Sequence, residues 1–181
     1  MKKRFKTLIS EIFDSRPISL RKKVVDPNFV HYVGLINEFN DLEIQFFTNS
    51  TTSNKSDKKT VLSIAFYVSG MSKKRNLDKK ISMEESNVNL IFSTIIAAMK
   101  DFRKTYKDLY NTADFVNFSG DLREMPSKEK LYVRFAKNIY KIWPEFSPNP
   151  SISKTPESRL VSDRPYRISV LIPRKGKENE I

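Results

Sequence analysis

Positive charge is the most abundant chemistry in this sequence, and it is bunched. Lys2, Lys3, Arg4 and Lys6 open the chain, Arg21, Lys22 and Lys23 follow, and Lys73, Lys74, Arg75, Lys79 and Lys80 form a third group. The whole chain carries 33 Lys and Arg against 21 Asp and Glu, a formal net charge of +12. Clustered cations gain free energy by displacing counterions from a polyanion, so nucleic acid held through sequence-independent phosphate contacts is the leading expected partner. Phe5, Tyr32 and Tyr67 lie near the basic runs and are candidates for stacking on unpaired bases, although alternation assigns most of these aromatics to a core.

Other chemistry is sparse. The absence of cysteine excludes a disulfide framework, Cys-based zinc sites and a thiol nucleophile, and it fits a reducing compartment. A single histidine, His31, leaves little room for a His-based triad or metal cluster, and its place in a β-like run predicts a structural role. Asp114, Asp121 and Glu124 have no metal-site spacing, and Asp121 suits a turn, so no metal is expected. The sequence holds no run of eighteen apolar residues, so no spanning helix and no membrane partner is expected. Ser10 and Glu11 break the apolar stretch after the basic start, which rules against a signal-peptide core.

The elements that must position these residues are legible from hydrophobic period. Phe5, Leu8, Ile9, Ile12 and Phe13 recur at helical intervals in a short amphipathic stretch that Pro17 cannot continue. Strands are predicted over Phe29 to Ile36 and Leu42 to Thr48 as a hairpin, then over Thr60 to Ser69 as a central strand. Asn49 to Lys59 reads as an exposed loop. Ser82 with Glu85 fits a capping box before a long helix whose face is Val88, Ile91, Ile95, Met99, Phe102 and Tyr106. A short strand, Phe115 to Phe118, and a turn at Gly120 to Pro126 lead to a second helix, with Ser127 as its candidate N-cap and its end before Pro144. Ser147 to Pro165 reads as an excursion without regular structure, and Tyr166 to Ile172 as a closing strand. The expected organisation is a basic arm over 1–23, a single α+β domain over 24–172 and a mobile polar tail over 173–181. Its fold class is α+β, with a mixed, mostly antiparallel sheet flanked by two main helices.

That order of elements resembles the core of the Gcn5-related N-acetyltransferases, over roughly Phe29 to Ile172. The resemblance implies an acetyl-CoA site in a Gly-rich loop before the long helix, and a Leu-Tyr pair on the second helix. Leu131 and Tyr132 occupy a similar place, and Tyr132 would then stand where the family often keeps a general acid; as a plain residue it reads as a packed aromatic. Gly70 is the only glycine between the central strand and the long helix, and Glu84 and Glu85 would repel a pyrophosphate there. No cofactor is therefore expected, with acetyl-CoA as the alternative.

The start, MKKRFKTLISE, resembles the capsid-targeting segment of internal head proteins of T-even-type phages. Ile9, Ser10 and Glu11 match that family's cleavage triplet, which implies processing after Glu11. The expectation is a basic, non-enzymatic phage protein associated with DNA and packaged with the genome, located in the virion interior or the host cytoplasm. Phage head proteins are further expected partners. The alternatives are a divergent acyl-CoA-dependent N-acetyltransferase and a protein that binds a host defence factor.

Overall fold

A computed structural model describes residues 16–37, 40–52, 58–70, 85–121, 127–156 and 166–180. It is a mixed α/β protein whose seven strands are β1 (Leu20–Asp26), β2 (Phe29–Asn37), β3 (Asn40–Thr52), β4 (Lys58–Gly70), β5 (Phe115–Asp121), β6 (Ser151–Pro156) and β7 (Tyr166–Pro173). The sheet order is β1-β2-β3-β4-β5-β7-β6. Links between β1 and β2, β2 and β3, and β3 and β4 are far too short for a parallel crossover, so these neighbours run antiparallel. β5 and β6 are each antiparallel to β7. β4 and β5 are parallel, Val61 opposite Phe115 through Ile64 opposite Phe118, and the long helix α1 (Glu85–Thr105) lies in the connection between them. The mixed, mostly antiparallel sheet and the central place of β4 agree with the sequence reading.

Contacts group the chain into two compact units, to both of which β3 and β4 contribute. The first unit holds β1, most of β2, the first part of β3, the end of β4 and α1. Its helix buries the predicted stripe from Ile91 to Phe102, with Ile95, Met99 and Phe102 fully excluded from solvent, while Tyr106 follows the helix and is half-buried; Phe92 meets Phe66 edge-on at 6.0 Å. Along β3 the alternation is clean: Leu42, Ile44 and Phe46 are buried while Glu43 and Gln45 are half-exposed.

The stretch before and along β1 corrects the expected arm. Residues up to 23 were assigned to a basic extension, yet Leu20–Asp26 is a strand, and the Ile18 amide donates to Thr94 Oγ1 of α1 at 3.1 Å. Ile18 and Leu20 lie across Gly34, where a Cβ would stand 2.8 Å from each side chain. Three cations in a row hide the strand signal, because a basic edge strand has the composition of a solvated arm.

The second unit contains the outer parts of β3 and β4, then β5, β6, β7, α2 (Lys107–Thr112) and α3 (Ser127–Asn138). Helix α3 sets Phe135 against Phe118 of β5 at 5.5 Å and tightens into a 3-10 turn, Ile139–Lys141, before Pro144. Within 147–165, expected to lack regular structure, Ser151–Pro156 is the edge strand β6, and residues 157–165 lie outside the described part. A six-residue serine- and proline-bearing strand carries too little apolar alternation to be recognised; pairing with β7 decides it. The predicted loop 49–59 is likewise shortened at both ends, since β3 runs to Thr52 and β4 begins at Lys58. Nor does the expected mobile tail begin at 173: Lys175 N donates to Glu145 O at 2.8 Å, and a 3-10 turn spans Glu178–Glu180.

Candidate functional site

Of the predicted phosphate contacts, Arg21, Lys22 and Lys23 fall on described residues, and all three are exposed on β1, the strand that ends the sheet order. Lys2, Lys3, Arg4 and Lys6, the processing residues Ile9 and Glu11, and Lys73, Lys74, Arg75, Lys79 and Lys80 lie outside the described residues, as does Phe5.

Lys22 is not equivalent to its neighbours. Its Nζ stands 3.3 Å from Asp101 Oδ2 and lies over the rings of Tyr32 and Tyr106, at 5.9 and 5.2 Å from their centroids. Tyr32 donates its hydroxyl to the same carboxylate oxygen at 2.7 Å, and Thr105 Oγ1 donates to Oδ1 at 3.3 Å. Partial burial alone would raise the Asp101 pKa, but hydrogen bonds from Tyr32, Lys22 and Thr105 outweigh it and hold the carboxyl below its ordinary value. Burial, then the hydrogen bond to Asp101, pushes the Tyr32 phenol far up. Lys22 is therefore a strut with its charge already matched, and Tyr32, only 2% exposed, is no stacking platform.

A second polar cluster lies on β2, β3 and β4 of the same unit. His31 is buried, and its Nε2 is 2.8 Å from Glu43 Oε2 without the alignment of a good hydrogen bond. Tyr67 donates its hydroxyl to the same Glu43 oxygen at 2.7 Å, and Gln45 Nε2 donates to the Tyr67 oxygen at 2.9 Å. By sequence His31 is expected to be structural and Tyr67 is a stacking candidate, whereas Glu43 carries no signal beyond its place in the alternation of β3. No local signal joins these residues, since strand pairing alone brings them together.

Partial burial and the Glu43 hydrogen bond push the Tyr67 phenol up to about 12. Because the ring is 44% exposed, the carboxylate is the firmer of the two causes. A raised folded-state value means the folded form keeps its proton more tightly than the unfolded chain. The contribution is complete below about pH 10 and is lost as pH rises toward 12. Denaturant midpoints measured from pH 9 to 12 should fall in the native protein and fall less in Tyr67→Phe; identical slopes would reject the Glu43–Tyr67 link.

Tyr132 sits on α3 and is 8% exposed. Among the described residues no group of three or more His, Cys, Asp or Glu is arranged to hold a metal ion, and no helix is long and apolar enough to cross a membrane. Asp114 does backbone work: its Oδ2 accepts from the Thr60 amide and its own amide donates to Thr60 O, each at 2.9 Å.

These two units define a mixed α/β protein with a basic edge strand and internally matched polar clusters. Its sequence matches no protein-family model and no curated protein.

Proposed function

We propose that this chain is a basic, non-enzymatic phage protein that associates with DNA through sequence-independent phosphate contacts and is packaged in the head with the genome. The observation that carries the DNA-binding part is the excess charge of +12, together with the exposed Arg21 and Lys23 on an edge strand. The MKKRFKTLISE start supports packaging. The polar clusters support a role without catalysis, because their carboxylates are engaged in bonds that hold strands and helix together.

Binding to a fluorescent duplex should weaken steeply with salt: six to ten phosphate contacts imply a loss of roughly 1,000-fold or more between 50 and 200 mM. Equal affinity at both concentrations would reject the electrostatic account. Mass spectrometry of purified virions tests packaging separately, with a chain beginning at Ile12 expected, and absence or an intact Met1 terminus counting against it.

The scaffold we propose is similar in topology to the Gcn5-related N-acetyltransferases, supported by the order of strands around the crossover helix α1. The sequence at the start of α1 speaks against that family's cofactor, since Glu84 and Glu85 bring negative charge that would repel a pyrophosphate. Isothermal calorimetry with acetyl-CoA should give no saturable heat at millimolar ligand. Saturable heat would favour the acetyltransferase reading instead.

A further inference from the structure

We infer that nucleic acid is contacted by a rim made of Arg21 and Lys23 on β1 with Lys100 and Lys104 on α1, and that Lys22 between them is structural. This rests on the nucleic-acid reading above. Arg21, Lys23, Lys100 and Lys104 are all exposed. The bonds from Lys22 and Tyr32 to Asp101, and from the Ile18 amide to Thr94, seat α1 beside β1, so the helix that carries Lys100 and Lys104 adjoins the strand that carries Arg21 and Lys23. Alternation along a strand sends Arg21 and Lys23 to the side opposite Lys22, while Lys100 and Lys104 belong to the helix on Lys22's own side. The edge is thus flanked by positive charge on both sides.

Fold stability does not account for this charge. Lys104, in the last turn of α1, complements the negative end of the helix dipole, but that effect fades within one turn and does not reach Lys100. Two like charges spaced four residues apart on a helix repel each other. That repulsion stands beside Asp101, whose bonds go to Lys22, Tyr32 and Thr105. A polyanion would relieve it, and a phosphate backbone, with its dense regular charge, is the matching chemistry.

The test is the salt dependence of duplex binding by the full-length chain, in two double variants of equal charge change. Lys100→Gln with Lys104→Gln should reduce the slope of log K against log salt by close to two contacts, about 1.8, and weaken binding at low salt. Lys141→Gln with Lys175→Gln, two exposed cations of the second unit, should leave the slope within error of the native one. Thermal unfolding of both variants should stay close to that of the native protein, since all four side chains are exposed and, at Lys100 and Lys104, the lost dipole complement and the relieved repulsion are small and opposite in sign. Equal flattening by the two pairs would overturn the rim while leaving nucleic-acid binding intact. Native protein that binds no duplex at all would overturn both readings. Competition by polyglutamate as strong as by DNA, charge for charge, would assign the rim to an acidic protein instead.

Discussion

Trp143→Ala should destabilise the protein by about 3–5 kcal/mol, the range for emptying a large aromatic site in a packed core. Trp143 is fully buried in the second unit, edge-on to Tyr110 at 5.1 Å and tilted against Phe146 at 5.9 Å. Its backbone amide donates to Ile139 O at 2.8 Å, the same oxygen on which the Ile142 amide closes the 3-10 turn, so the residue that carries the ring is also tied to the turn. Removing the indole takes away the wall for both neighbouring rings, and a site framed by two aromatics and a turn has little freedom to collapse. Trp143→Phe, which keeps a ring, should recover more than half of the loss. Urea unfolding followed by circular dichroism measures this; a loss under 1 kcal/mol would mean that the aromatic cluster does not support the unit.

Arg174→Ala should cost about 2–4 kcal/mol, combining two charge-assisted hydrogen bonds to backbone carbonyls with the loss of ring stacking. Arg174 donates from Nε to Ala113 O at 2.7 Å and from an Nη to Tyr110 O at 2.6 Å. Those carbonyls lie in the last turn of α2 and just past it, where the helix dipole favours a cation, and Tyr110 O also accepts from the Ala113 amide at 3.4 Å. The guanidinium carbon is 5.4 Å from the Tyr110 ring centre and 4.8 Å from that of Phe146, and Tyr110 in turn donates its hydroxyl to Glu145 at 2.5 Å. Arg174→Lys keeps the charge but loses the planar fork, and should cost about half as much. Trp143 and Arg174 share Tyr110 and Phe146, so the double variant should lose less than the sum of the singles. Strict additivity would show that the two act on separate parts of the unit.

The parts of this protein that were readable in advance are those set by local periodicity. The stripe of α1 from Ile91 to Phe102, the alternation of Leu42, Ile44 and Phe46, the central strand β4 and the stop of the second helix before Pro144 each arise from the spacing of side chains along one element. What failed to read in advance was set by partners. β1 looks like an arm because three consecutive cations break its apolar alternation, and it becomes a strand through β2, with Gly34 making room for Ile18 and Leu20. β6 becomes a strand through β7, and Arg174 leaves the expected tail because the carbonyls of Tyr110 and Ala113 and two aromatic rings await it.

The sequence by itself determined the net charge, the lack of cysteine and the two amphipathic helices, since composition and helical period are properties of one chain segment at a time. Only the tertiary structure decided how the cations divide into roles. Residues 21–23 are interchangeable as a basic run. Packing of α1 against β1 gives Lys22 a carboxylate 3.3 Å away and leaves Arg21 and Lys23 facing solvent, because a hydrogen-bonded ion pair needs a partner that the chain supplies 79 residues later.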